Sequence, residues 1–167
     1  MKTIIVNLYG VPGAGKSTCG AYIYSNLKMK GVNVKMYWAE YIEDIWPECS
    51  EFTPQDIQLN IDILEDMTNP QVIINTFPAP MTDFLNQKKY TEEPTPHTLN
   101  YLLLRVKCYR SEQQHWTEAQ SNEMALPLCK FLEASGMKYS AVGGHKEGFD
   151  CIIDDIMDKI EEMKRWE

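Results

Sequence analysis

Residues 10 to 17 read Gly10-Val11-Pro12-Gly13-Ala14-Gly15-Lys16-Ser17 and fit the pattern G-x-x-x-x-G-K-[ST]. No other stretch limits the fold as much, because such a loop works only between a strand and a helix. Small residues let backbone N–H groups turn inward around phosphate oxygens. The glycines supply positive φ angles and close backbone approach. Lys16 reaches the β- and γ-phosphates, and the Ser17 hydroxyl suits a magnesium ion. The positive end of the following helix adds to the anion site. The flanks agree with that geometry. Thr3 to Tyr9 is a β-branched, apolar run that reads as a buried strand. Ser17 to Lys30 carries Cys19, Tyr22, Ile23, Asn26, Leu27 and Lys30 at helical spacing, with Gly31 placed as the cap.

The rest of the chain alternates strand and helix, which predicts a parallel sheet covered on both faces. Val32 to Ala39 reads as the second strand, and Pro54 to Met67 as a helix with Ile57, Ile61, Leu64 and Met67 on one stripe. Val72-Ile73-Ile74 is a short buried strand, and Leu99 to Val106 another. Glu118 to Ala134 is helical, with Met124, Leu128, Phe131 and Leu132 in register. Pro127 should kink that helix or mark a restart. Lys138 to Val142 is the last strand. Phe149, Ile152, Ile153, Ile156, Ile160 and Met163 line the buried face of a C-terminal helix. Phe77 to Pro96 holds four prolines and little periodicity, which suggests a mobile or substrate-facing segment. The expected architecture is a P-loop NTPase three-layer α/β sandwich with a five-stranded parallel sheet, one kinase-like domain over residues 1–167.

Composition narrows the class. The 167 residues suffice for one core, and 44% hydrophobic with 24% charged residues is globular. No apolar run approaches the ~20 residues a membrane span needs, and no signal segment precedes the first strand, so we expect a cytoplasmic protein. Five cysteines without a C-x-x-C pair argue against a disulfide framework and against zinc. A net charge of −8 disfavours DNA as a general partner, since phosphate backbones are held by Lys and Arg.

Catalytic groups in open α/β sheets gather at the carboxyl ends of strands. Glu40 ends the predicted second strand and therefore shares an edge with the loop. A carboxylate there can accept a proton from an attacking hydroxyl, although a solvated strand-end glutamate fits the spacing equally well.

The run MKGVNVKMYWAEYIEDIW, residues 29–46, resembles a family of small phage-encoded P-loop ATPases or nucleotide kinases. It is similar also to the deoxynucleoside kinases, in which a Glu at the end of the second strand activates the substrate hydroxyl and a Trp follows. Glu40 and Trp46 match those positions. The resemblance implies that Glu40 is the base and that Gln58 reads a nucleobase edge. The run LLLRVKCYRSEQQHWTEAQS, residues 102–121, resembles the family's strand end, lid and Thr-Glu-Glu, matched at Arg105, Lys107, Tyr109, Thr117 and Glu118. It implies a lid over 108–116, and a charge-neutralising role for Arg105 and Lys107. For a phage-encoded chain the compartment would be the host cytoplasm.

Two positions depart from that family. Thr76 stands where an Asp would help hold magnesium, and Gln113-Gln114 replace a Gly-Arg pair in the lid. Arg110 is a neighbouring substitute for that arginine. His115 and Trp116 suit stacking on a base or packing the lid down.

These residues give the following expectations. ATP with Mg²⁺ binds at Gly10, Val11, Pro12, Gly13, Ala14, Gly15, Lys16, Ser17 and Thr18, with Ser17 on the metal. Lys16, Glu40 and Arg105 carry catalysis. Trp46, Gln58, Lys107 and Arg110 contact a nucleoside or nucleotide acceptor. Gly143-Gly144 falls where adenine rests against loop backbone, or is a plain turn. The alternatives are a kinase acting on hydroxymethylated bases in phage DNA, using a stripe of Lys88, Lys89, Arg105, Lys107 and Arg110, and a nucleotide-binding regulator or weak ATPase. Base preference, ATP against GTP, and oligomeric state stay open.

Overall fold

The structure is a computed structural model that describes residues 2–38, 68–77, 97–107 and 116–166. In chain order these form β1 (Ile4–Tyr9), α1 (Lys16–Met29), β2 (Val34–Trp38), β3 (Val72–Thr76), β4 (Thr98–Leu104), α2 (Glu118–Glu123), α3 (Ala125–Ala134), β5 (Ser140–Gly143) and α4 (Lys146–Lys164). The strands make one sheet in the order β2-β3-β1-β4-β5, and every neighbouring pair is parallel. All five carboxyl ends therefore meet one edge, with β1 in the middle.

Side-chain alternation divides the core between the two faces of the sheet. Ile4, Val6 and Leu8 of β1 pack with Cys19, Ile23 and Leu27 of α1 and with Ile152, Ile156 and Ile160 of α4. Ile5 and Tyr9 point the other way and meet Leu128, Phe131 and Leu132 of α3. Helices thus cover both faces, as alternating strand and helix predicts. Each fully buried Leu or Ile contributes about 1.5–3 kcal/mol to holding the layers together.

Local signals explain most boundaries. Gly31, at φ 79°, ends α1. Its N–H donates to the Lys28 carbonyl at 3.0 Å, and the Val32 N–H donates to the Leu27 carbonyl at 3.0 Å. This pair is a Schellman motif, and its buried Val32 and Leu27 supply the usual apolar contact. Val32 is therefore occupied by the cap, which is why β2 begins at Val34 rather than at Val32. Lys30 follows the last turn and is exposed, contrary to the expected stripe. β4 stops at Leu104, because Leu104 and Val106 stand half in solvent beyond the core. The last strand starts at Ser140, two residues later than expected. Pro127 marks a restart: it lies in the first turn of α3, where its missing N–H costs no hydrogen bond. The predicted helix at 54–67 and the segment 78–96 lie outside the described residues.

Three asparagines form a ladder across the middle of the sheet. Asn75, Asn7 and Asn100 lie side by side in register on β3, β1 and β4. Asn75 donates to Asn7 at 3.3 Å, Asn7 to Asn100 at 2.9 Å, and Asn100 to the Lys138 carbonyl at 3.2 Å. The amides are buried, and each unpaired group costs about 1–3 kcal/mol; this register pairs all three amides and leaves Asn75 Oδ1 without a partner.

Candidate phosphate-binding site

The loop from Gly10 to Gly15 leaves β1 at the centre of the carboxyl edge and enters α1 directly. Gly13 has φ 76° and Gly15 φ 94°, a region L side chains rarely adopt, as the motif requires. Gly15 is also the N-cap of α1, and no side chain caps that end. The positive end of α1 thus opens on the loop, where an anion is favoured. The Ala14 N–H closes the turn on the Val11 carbonyl at 3.0 Å.

Lys16 is 4% exposed. Its ammonium donates to the Gly10 carbonyl at 2.7 Å and to the Val11 carbonyl at 3.4 Å. A buried ammonium thus sits within the loop, on two of its backbone oxygens. Pro12 and Ala14 are buried, while Gly13, Ser17 and Thr18 are exposed at the mouth.

Two other strand ends brace the loop. After β5, the Gly144 N–H donates to the Leu104 carbonyl at 2.8 Å. Gly144 lies so close to the Ala14 carbonyl that a Cβ there would overlap it. The Gly143-Gly144 turn therefore backs directly onto the phosphate loop. His145 follows and caps α4, its Nδ1 accepting from the Gly148 N–H at 3.2 Å.

After β4, Arg105 reaches α2. Its guanidinium donates to the Ser121 hydroxyl at 3.1 Å and to Asn122, and lies 3.5 Å from the Glu118 carboxylate. Ser121 donates onward to the Pro12 carbonyl at 2.8 Å. The described geometry thus joins Arg105 to the loop through a hydroxyl. Thr117 N-caps α2 with a capping box shared with Gln120, fixing the turn that carries Glu118 and Ser121. The Thr-x-x-Gln spacing was the available signal for this arrangement. Ser121 itself carried no signal in sequence.

Lys107 is exposed just beyond β4, and Trp116 is half-buried. Glu40, Trp46, Gln58, Arg110, Lys88, Lys89 and the lid residues 108–115 lie outside the described residues.

Thr76 ends β3 on the α1 face and is 0% exposed. Its Oγ1 is buried without a hydrogen-bond partner. A hydroxyl in that state costs about 1–3 kcal/mol unless something polar arrives. This orphan, on the face that carries Ser17, fits a hydrated magnesium ion. Among the described residues no three His, Cys, Asp or Glu side chains converge as metal ligands. Ser17 and Thr76 would then hold the ion together with phosphate oxygens and water.

Elsewhere, a cleft of about 390 Å³ opens at the opposite edge, lined by Lys138, Asp155, Asp158, Lys159 and Glu162 among others. Tyr101 donates to Asp155 there at 2.9 Å, and burial raises its phenol well above the ordinary range. No helix among the described residues is long and apolar enough to cross a membrane.

No protein-family model matches the chain, and no curated protein sequence matches it. Solved structures do. The crystal structure of APE1195 superposes with a TM-score of 0.51 at 18% identity, covering 94% of this chain and 96% of that one. A thymidylate kinase from Ehrlichia chaffeensis superposes with a TM-score of 0.51 at 10% identity, covering all of both chains. At these identities the likeness is one of fold. Together with the parallel five-stranded sheet and the loop at its centre, it gives the chain the P-loop NTPase α/β fold.

Proposed function

We propose that the protein is a P-loop phosphotransferase of nucleoside or nucleotide kinase type, moving the γ-phosphate of ATP to a hydroxyl or phosphate of such an acceptor. The observation that carries this reading is the loop itself. Gly13 and Gly15 are left-handed, Lys16 is buried with its ammonium in the loop, and the uncapped start of α1 follows. The fold likeness to a thymidylate kinase supports a kinase over other uses of the fold.

The loop and Lys16 bind the donor phosphates, and their positive charge offsets what develops on the transferring phosphoryl. Magnesium, when bound near Ser17 and Thr76, supplies further charge neutralisation. Glu40 accepts the proton of the acceptor hydroxyl. That oxygen bonds to the γ-phosphorus, the bond to the β–γ bridging oxygen breaks, and ADP leaves. Arg105 adds positive charge at the same edge, and Trp46, Gln58, Lys107 and Arg110 contact the acceptor. The compartment we propose is the cytoplasm.

The test is transfer of label from γ-labelled ATP to a panel of nucleosides, nucleoside monophosphates and oligonucleotides. Transfer to a nucleoside or nucleotide that disappears in Glu40→Ala supports the proposal. Transfer only to hydroxymethylated oligonucleotides would move the acceptor to DNA. Tight ATP binding with neither transfer nor ATP loss would refute phosphotransfer. One observation favours that last outcome: Thr76 is uncharged where a carboxylate would assist magnesium, which fits a nucleotide-binding regulator; phosphate release without an acceptor would point instead to a weak ATPase.

A further inference from the structure

Ser121 lies 109 positions from Pro12 in sequence, on a helix of six residues, and is 0% exposed. Its hydroxyl accepts from the Arg105 guanidinium and donates to the Pro12 carbonyl. We propose that Ser121 is a positioning residue of the phosphate loop, holding the Pro12 carbonyl outward so that the Gly13 N–H faces the bound phosphates. This rests on the nucleotide-binding reading above and deepens it.

A trans peptide is planar, so its C=O and N–H point in opposite directions. Gripping the Pro12 carbonyl from the α2 side turns the Gly13 N–H away from α2, toward the inside of the loop. Pro12 has a fixed φ and no N–H of its own, so the Pro12–Gly13 peptide turns mainly about the Pro12 ψ and the Gly13 φ. Glycine leaves that second torsion soft, and a hydrogen bond must hold it. The two preceding carbonyls, Gly10 and Val11, are held by the Lys16 ammonium. Ser121 holds the third, so each of the three carbonyls that precede Gly13 accepts a hydrogen bond. A hydroxyl that accepts from a guanidinium is a stronger donor, so Arg105 tightens the grip without touching the loop.

The experiment uses inorganic tripolyphosphate and ATP as probes, by titration calorimetry on the full chain, with the Gly13 amide followed by NMR. Wild type should bind both. Ser121→Ala should bind each about tenfold more weakly and move the Gly13 amide resonance before any ligand is added. Ser121→Thr, which keeps the hydroxyl, should restore most of the affinity. Gly31→Ala, strained at the far end of α1, should lower the melting temperature and leave affinity unchanged. Should Ser121→Ala not fold, Arg105→Gln replaces it and should weaken tripolyphosphate binding with the Gly13 resonance shifted. Equal affinity in wild type and in the Ser121→Ala or Arg105→Gln variant overturns the proposal while leaving the nucleotide reading intact. So does a loss in Gly31→Ala as large as that in Ser121→Ala. A wild type that binds neither probe overturns both.

Discussion

Gly144→Ala isolates the contact between the β5–α4 turn and the phosphate loop. No positive φ is involved at Gly144, so the effect is steric. The new Cβ would overlap the Ala14 carbonyl oxygen and lie 3.1 Å from the Leu104 carbonyl oxygen. Both neighbours are backbone, so neither can swing aside like a side chain. Relieving the overlap takes a displacement on the order of 1 Å, given ordinary contact distances. Overpacking of this kind costs about 1–3 kcal/mol. At about 2–4 °C per kcal/mol for a chain of this size, the melting temperature should fall by roughly 2–12 °C. The functional cost is larger, because a misplacement of about 1 Å in a phosphate site costs about a hundredfold. The comparison variant is Gly31→Ala, at φ 79° with open space around the added carbon. It should cost about 1 kcal/mol through backbone strain alone. Thermal unfolding with and without MgATP separates the two. Gly144→Ala should lose most of the nucleotide-induced stabilisation, and Gly31→Ala should keep it. A Gly144→Ala protein stabilised by MgATP as fully as wild type would refute the reasoning.

Other outcomes follow from buried polar groups. Thr76→Val removes an orphaned hydroxyl and should raise the melting temperature without ligand by about 2–4 °C, from ~1 kcal/mol, while weakening the magnesium dependence of ATP binding. A lower melting temperature with unchanged magnesium dependence would show that Thr76 does not serve the metal. Asn7→Leu breaks the ladder on both sides and should destabilise the fold by about 2–4 kcal/mol, read from urea unfolding. A loss below about 0.5 kcal/mol would mean the ladder is not what fixes register. Burial pushes the Cys19 thiol from 9.0 up to about 12. The folded state therefore holds that proton more tightly, and this share of stability is present below about pH 9 and is lost as pH rises toward 12. Cys19→Ala should flatten the stability profile in that window; an unchanged slope would assign the alkaline loss to Tyr101 and other groups.

What the sequence made legible was local. The strand, glycine loop and helix over residues 4 to 29 could be read because the motif, the apolar run and the Gly31 cap are all neighbours in sequence. Pro127 could be read as a kink or a restart for the same reason, since a proline limits only its own turn. What was missed depends on distant pairing. Asn7, Asn75 and Asn100 become a ladder only once β3, β1 and β4 are in register. Ser121 becomes part of the site only because α2 folds back onto Pro12. The start of β2 was misplaced because Val32 is apolar for the helix cap rather than for a strand. Arg105 was expected to neutralise charge on the transferred phosphoryl, and the fold directs its guanidinium onto Ser121, Asn122 and Glu118 of α2, which no spacing rule conveys.

The central claim is that residues 10 to 17 hold the phosphates of a nucleotide around Lys16. Equilibrium titration of MgATP into wild type and Lys16→Ala tests it most directly. The account predicts saturable binding by wild type and a loss of at least about a hundredfold in Lys16→Ala, since a charge-assisted bond to phosphate disappears. No binding by wild type, or equal binding by both proteins, would contradict it.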